Sequence, residues 1–334
     1  MKAPHVTVLT AVRNGAPYLA ETVASIQNQS FTDWEYIIVD DASDDGTPQI
    51  AEDLARGDAR IRVLVRSASV GPYAAANDGL RVARGAFTIR TDADDLSTPD
   101  RIEKQLAFLA AHPEYRACVS YWQSLNDQGV MPSTQTPIPL NSRVFRWSLL
   151  LRSQSIHSAV CFETAMMREL GGYRELPLSQ DYRLWCDLTR RGWLGTIPEV
   201  LCYVRSHGKR QSHTSYTVQR ELAIDVLSDH LAALTGERWS REDLLALRSV
   251  GHGEVMPVHK GLEMLDRWDR LWQAADDLTP ADRAELARTS SFRRWKHLRA
   301  NARQQPLAAL KGAMKSIMLK GPQSLVPAGR GASL

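Results

Sequence analysis

The sequence predicts an α/β protein with a mainly parallel sheet sandwiched by helices and an α-helical extension on its C-terminal side. Three observations carry this. Apolar, β-branched runs alternate with amphipathic stretches through the first 120 residues, the runs tend to end in polar residues, and beyond about residue 215 the pattern becomes purely helical. Strand and helix in alternation imply parallel strands joined by crossover helices.

The elements follow in order. VTVLTAV (6–12) is a buried-type strand, and after the turn RNGAP a helix carries Leu19, Val23 and Ile26 on one face. WEYIIVDD (34–41) is the second strand. Thr47 as N-cap and Pro48 at the first helical position open the next helix. IRVLVRS (61–67) is a third strand, PYAAANDGLRVARG a helix closed by Gly85, and AFTIRTD a fourth strand. A helix bounded by Pro99 and Pro113 leads to the strand YRACVSYW and a looser stretch at 123–142. Next come a helix RVFRWSLLLR, a strand SAVCFE, a short helix before GGY, a helix starting near Ser179 and a late strand GTIPEVLCYVRSH. Helices at 217–235, 240–250, 258–275, 280–302 and 305–319 complete the chain. The expected division is an α/β domain at 1–215, with halves of about 1–120 and 121–215, and a helical region at 216–334.

With 334 residues the chain can bury a sizeable core, and 43% hydrophobic with 24% charged residues is the composition of a folded soluble protein. A net charge of +3 argues neither for nor against a nucleic-acid partner, and none is expected. Cys118, Cys161, Cys186 and Cys202 form no CxxC pair and read as reduced core residues. No run reaches membrane-spanning length and the first apolar run reads as a strand, so a cytoplasmic placement is expected. From residue 286 onward Phe292, Trp295, Leu298, Leu307, Leu310, Met314, Ile317 and Met318 interleave with many basic residues. That pattern suits either peripheral contact with an anionic membrane surface or packing on the catalytic domain or a second subunit.

In open α/β sheets ligands bind beyond the carboxyl ends of the strands. Thr10, Arg13 and Asn14 lie after the first strand, Asp40 and Asp41 after the second, and Asp92, Asp94 and Asp95 after the fourth. These ends form one acidic crevice. An Asp-x-Asp suits a hard divalent cation, Mn²⁺ or Mg²⁺, and a metal-bound diphosphate would relieve the repulsion among the carboxylates. Asp95 reads equally as a cap for the next helix. Asp181 opens a helix with Leu184, Trp185 and Leu188 facing inward, where the dipole favours a carboxylate; it is either a cap or a general base. His207 is a candidate metal ligand or diphosphate contact, with a solvated loop histidine as the alternative, and His213 a weaker one. Arg205 and Lys209 could neutralise a leaving diphosphate. His157 reads as structural, though it could face an acceptor. A dinucleotide dehydrogenase would need GxGxxG, and a nucleotidyltransferase a Gly-rich loop where TAVRNGAP has only Gly15.

The segments VTVLTAVRNG to DDASDDGT, Asn77 to Leu80 with Gly85, TDADDLSTPDRI, and GGY…SQDYRLW…RRG…IPEVLCYVRSH occur in this order over 1–212. Together they resemble a family 2 glycosyltransferase. The resemblance implies a GT-A type, Rossmann-like mixed sheet and an inverting, metal-dependent transfer from a nucleotide-sugar, expected as a UDP-sugar, to a glycan or lipid-linked acceptor in surface polysaccharide biosynthesis. It implies that Thr10, Val12 and Asp41 line the base and ribose pocket, with Arg13, Asn14 and Asn77 in the same nucleotide-sugar set. Asp92 would lie near the ribose and diphosphate, Asp94 would bind the metal with His207 as a candidate third ligand, and Asp181 would be the base. Three departures stand out: Gln180 precedes Asp181 where relatives often have a second acid, Ala76 stands where a basic residue is frequent, leaving Arg13 or Arg90 to meet a phosphate, and Val12 stands where an aromatic residue often stacks on the base. A nucleotidyltransferase-like enzyme or a non-catalytic nucleotide-sugar-binding protein are the alternatives.

Overall fold

The computed structural model describes residues 3–126, 129–130, 138–153, 155–174, 179–206, 216–302 and 304–320, without the side chains of 216–220, 310 and 315–320. Its contacts separate two compact units, residues 1–140 with 154–219 and residues 141–153 with 220–334.

In the first unit β1 (Val6–Val12), β2 (Trp34–Asp40) and β3 (Ile61–Val65) pair in parallel, and β4 (Phe87–Arg90) joins β1 in parallel on its other side. Helices α1 (Leu19–Gln27), α2 (Thr47–Gly57) and α3 (Pro72–Val82) are the crossovers. β1 and β2 are buried at every position, as strands covered on both faces must be. α4 (Arg101–Ala111) then leads to the second half of the sheet. There β8 (Val160–Glu163) lies between β4 and β6 (Ala117–Asn126), antiparallel to both, while β6 runs parallel to β9 (Leu194–Arg205). β5 (Leu96–Ser97) closes the far edge antiparallel to β9, and β7 (Gly129–Val130) pairs with the end of β6. The order is β3-β2-β1-β4-β8-β6-β9-β5, a mixed sheet whose longer ladders are parallel, as expected. Helices α6 (Thr164–Glu169) and α7 (Gln180–Arg190) complete the unit.

Two start and stop signals act differently from their reading in the sequence. Thr47 does not cap α2: its hydroxyl accepts from Gly15 N at 2.8 Å and donates to Asp45, because the preceding loop needs that hydroxyl more than the helix does. Gly85 lies beyond the end of α3 and is required by proximity, since a Cβ there would stand 2.3 Å from Thr7 N and 2.5 Å from the Val6 carbonyl carbon. Its N–H donates to Thr7 Oγ1, which donates to Glu35. Glu35 is 2% exposed and accepts from Arg84 N at 2.7 Å and Arg84 Nε at 2.8 Å, with Arg62 also paired to it. Burial alone would push this carboxyl up, but the Arg84 and Thr7 hydrogen bonds outweigh it and hold Glu35 below its ordinary value.

The second unit is helical: α5 (Ser142–Leu149), α8 (Tyr216–Thr235), α9 (Arg241–His252), α10 (Val258–Gln273), α11 (Pro280–Asn301) and α12 (Pro306–Lys320). Residues 142–149 were expected within the α/β part, yet Val144, Phe145, Trp147 and Leu149 are buried in this unit. Trp268 Nε1 donates to the Trp147 carbonyl at 2.9 Å, His230 bonds the Arg146 carbonyl, and Arg143 pairs with Asp282 at 2.8 Å. Short strongly amphipathic helices bury their stripe wherever a matching surface exists, and sequence position does not specify which. α11 also departs from a solvated basic face: Ser290, Arg293, Arg294, His297 and Asn301 are among its buried residues. On α12, Ala309 packs with Val258 and Leu298, whereas Leu307 is 74% and Met314 51% exposed. Among the described residues no helix is long and apolar enough to cross a membrane. All four cysteines are buried and unbridged.

Gly85→Ala should therefore cost about 3 kcal/mol in urea unfolding, because backbone atoms cannot yield to the new methyl. Gly57→Ala, at the end of α2 with nothing within 4 Å of its Cβ, should be neutral or stabilising by up to about 1 kcal/mol.

Candidate active site

The loops after β1 and β2 are fastened to each other. Asn14 sits at φ 57°, a left-handed conformation that Asn tolerates, donates its N–H to Ser43 Oγ at 2.9 Å and accepts from Asp44 N at 3.0 Å. Asp41, 2% exposed, accepts from Ser69 Oγ at 2.7 Å and from Val70 N and Gly71 N at 2.9 Å, at the start of α3 where amides point outward. Arg13 Nη1 donates to the same Ser69 Oγ at 3.2 Å. Arg13, Asp41 and Ser69 are thus brought together beyond the strand ends, and Asn14 frames them.

Several other expected site residues are spent on the fold. Thr10 is fully buried; its hydroxyl donates to the Thr91 carbonyl at 2.8 Å and bonds Tyr36, whose own pKa is pushed up to about 12 by burial. Val12 is 4% exposed and belongs to the apolar core, packed where a Cβ on Gly15 would touch it. Neither lines an open pocket. Asn77 imitates a strand partner: Nδ2 donates to the Tyr173 carbonyl at 2.7 Å and Oδ1 accepts from Tyr173 N at 2.8 Å. Its amide is committed to the GGY turn, where a Cβ on Gly172 would come within 2.5 Å of Oδ1. A short polar side chain serves a backbone as readily as a ligand, so residue type could not separate the two uses.

The acidic loop after β4 is braced by cations. Arg90 is 2% exposed, donates to the Leu9 and Thr91 carbonyls and pairs with Asp92 at 3.2 Å, so it is not available to a phosphate. Arg101, fully buried, donates to the Arg90 and Val160 carbonyls. Asp95 is fully buried and accepts from Arg205 N at 3.1 Å, tying the loop to β9 instead of capping α4. The Arg205 side chain reaches the Asp94 carbonyl and Glu21, which replaces the expected diphosphate contact. Asp92 and Asp94 remain half-buried, with hard oxygen donors of the kind Mg²⁺ and Mn²⁺ take. Among the described residues no group of three or more acidic, histidine or cysteine side chains is arranged to hold a metal. His207, Lys209 and His213 lie outside the described residues.

Asp181, in the first turn of α7, follows Ser179 at φ 66° and accepts from Tyr182 N at 2.7 Å. An aromatic group packs around His157. His157 Nε2 bonds Tyr173 Oη at 2.8 Å, Tyr73 stacks on His157 at 5.9 Å between ring centroids, and Trp185 meets the His157 edge at 6.5 Å. Ser158 Oγ accepts from Asp92 N at 2.9 Å. Burial, then the negative charges of Asp181 and Asp92, raises Tyr73 well above its ordinary value; burial and the same two carboxylates raise Tyr173. Both phenols stay protonated and able to donate. Burial, then Arg90, pushes His157 down to about 3, so it is a neutral hydrogen-bonding group. Sequence reasoning passed over Tyr73 and Tyr173. One signal was present, because Tyr73 lies four residues before Asn77 and so on the same face of α3.

The sequence profile described as Glycosyl transferase family 2 matches residues 7–171. The putative teichuronic acid biosynthesis glycosyltransferase TuaG of Bacillus subtilis (strain 168) is 30% identical over 57% of this chain and 74% of its own. Among solved structures, S. aureus TarS 1-349 in complex with UDP-GlcNAc superposes with a TM-score of 0.59 at 17% identity, over 90% of this chain and 92% of that one. The mannosyltransferase PcManGT from Pyrobaculum calidifontis, in complex with GDP-Man and Mn²⁺, gives 0.55 at 21% identity over 96% and 89%. The two structures share the GT-A fold with this chain.

The depressed pKa of His157 has a measurable sign. Its folded value of about 3 lies below the ordinary 6.5, so below pH 6.5 the unfolded chain takes up a proton the folded one refuses. Stability then falls by about 1.4 kcal/mol per pH unit from this group. Urea unfolding between pH 7 and 5 should show that slope reduced in His157→Gln.

Proposed function

The chain belongs to the family 2 glycosyltransferases, and from that premise we propose that it is an inverting, metal-dependent enzyme transferring a sugar from a nucleotide-sugar to a glycan or lipid-linked acceptor of a surface polysaccharide. The observation that carries the mechanistic part is that the Asp92 amide bonds Ser158, next to His157, and that Trp185, one turn along α7 from Asp181, meets the same His157 ring. Donor end and base end are then parts of one site.

In this reading Arg13, Ser69 and Asp41 meet the base and ribose, and Asp94 with Asp92 holds Mn²⁺ or Mg²⁺. The ion, when bound, neutralises the charge that develops on the leaving diphosphate. Asp181 accepts the proton of the acceptor hydroxyl as it attacks from the face opposite the diphosphate, which inverts the anomeric carbon. The protonated Tyr73 hydroxyl is the candidate to orient a sugar hydroxyl, and the neutral His157 fixes the buried Tyr173. His207 is kept as the proposed third metal ligand. The complexes of the structural neighbours with UDP-GlcNAc and with GDP-Man and Mn²⁺ support a nucleotide-sugar donor and a divalent ion, with a UDP-sugar the first to test. TuaG supports a polysaccharide product. The exposed Leu307 and Met314 on α12 support peripheral membrane contact, as a lipid-linked acceptor would require.

Screening nucleotide-sugars by thermal shift with and without Mn²⁺ should reveal a donor that stabilises the protein only with the ion. Asp94→Ala should abolish that shift. Asp181→Asn should keep it while lowering kcat about a thousandfold. Undiminished transfer by Asp181→Asn would remove the base from this assignment.

A further inference from the structure

The helical unit contains a buried cation that the transferase reading leaves without a role. Arg293 on α11 is fully buried, and its Nη1 donates to the Gly251 carbonyl at 2.8 Å. Its Nε and Nη2 are buried with no hydrogen-bond partner. The neighbouring Arg294, 3% exposed, shows how the same helix otherwise houses a guanidinium: it pairs with Asp266 at 2.8 Å and Asp269 at 2.7 Å. Removing a charged donor from water without an acceptor costs more than the roughly 1–3 kcal/mol of an unsatisfied neutral group. A ligand that supplied acceptors to these donors would recover that cost.

The surroundings of Arg293 deepen the deficit. Gly251 packs so closely that a Cβ would lie 2.1 Å from the Leu151 carbonyl oxygen, which sets the residue after it, Arg152, beside the end of α9. Lys296 crosses the left-handed cap at Gly253, where a Cβ would meet its Cε at 2.5 Å. Arg152 and Lys296 are half-buried, so the group grades from solvent to interior. Burial and then Arg152 lower Arg293 to about 9; burial, Arg293 and Arg152 lower Lys296; burial and Arg248 lower Arg152. The ion pairs described in this unit run to Arg143, Arg146, Arg241, Lys260, Arg267 and Arg294, and none involves Arg152, Arg293 or Lys296. Carbonyls at the C-terminal end of α9 attract cations and account for Nη1 of Arg293. They leave the Nε/Nη2 edge unmet, and that edge is the one that takes two oxygens of an oxyanion side by side.

We propose that Arg293, Arg152 and Lys296 form a phosphoryl-binding site in the helical unit, with the Arg293 Nε and Nη2 donors holding two oxygens of the ligand. A phosphate ester or inorganic phosphate fits better than a carboxylate, because its second negative charge answers the neighbouring cations. None of its residues belongs to the acidic crevice, and it stands whether or not the donor and base assignments hold.

The test uses the full chain. Inorganic phosphate and diphosphate are compared with chloride at equal ionic strength by thermal unfolding, and vesicles of phosphatidylglycerol with vesicles of phosphatidylcholine by co-sedimentation. A saturating soluble ligand should raise Tm by about 2–4 °C or more. Binding to soluble phosphate identifies a free phosphate or phosphate ester; binding to phosphatidylglycerol vesicles alone identifies a lipid headgroup; either supports the site. Arg293→Met should weaken that binding at least about tenfold while unfolding in chloride no earlier than the parent, since it removes an uncompensated buried charge. If Arg293→Met fails to fold, Lys296→Gln, at a half-exposed position, decides by the same readout. No response to phosphate, diphosphate or vesicles, or a response that the deciding variant keeps in full, overturns the proposal.

Discussion

Guanidinium groups hold the acidic loop in place, and the rest of the site depends on them. Asp92, Asp94 and Asp95 follow one strand within four positions, and such carboxylates repel unless positive charge lies among them. The protein supplies that charge from beneath and beside. Arg90 spends Nη1 on the Leu9 and Thr91 carbonyls and turns Nη2 to Asp92. Arg101 reaches the Arg90 carbonyl from α4, and Arg205 arrives from β9, its backbone on Asp95 and its side chain on the Asp94 carbonyl. The carboxylates are held by the fold before any ligand arrives. A cation bound as proposed would then need to satisfy only what remains exposed on Asp92 and Asp94.

This division of labour explains which site residues could be read from the sequence. Strands and helices were legible almost to their ends because period and caps are local properties, and the segments carrying Asp92, Asp94 and Asp181 were legible as segments because they occur in order, while the roles of these carboxylates stay proposals. Thr10 and Asn77 were not, since a hydroxyl or amide at a strand end serves a backbone carbonyl as well as a substrate, and only the partner's position decides. The loop cations were misread for the same reason: Arg90 and Arg205 look like phosphate contacts until their carbonyl and carboxylate partners are seen. The antiparallel β8 between β4 and β6 is a matter of long-range pairing, which a four-residue apolar run cannot announce.

The helical unit repeats the theme with a different balance. Asp266 and Asp269 answer Arg294 as the strand carbonyls answer Arg90. Burial of basic residues on α11 also changes what the tail's composition means. A run rich in Arg and Lys suggests a solvated or membrane-facing surface, yet part of that charge points inward here. The apolar groups left to water belong to α12, at Leu307 and Met314, so any surface attraction would come from the last helix rather than from α11.

The Asn77 amide has a further meaning. By matching both hydrogen-bonding groups of Tyr173, it works as one rung of a ladder between two segments that share no strand, leaving no room at Gly172 for even a methyl group. That rung moors the GGY turn to α3, whereas Asp181 is fixed separately by α7, whose Tyr182, Leu184, Trp185 and Leu188 are buried. The position of the proposed base is therefore a property of how α7 packs. Breaking the rung would loosen Tyr173 and its bond to His157, while the sheet stayed as it is.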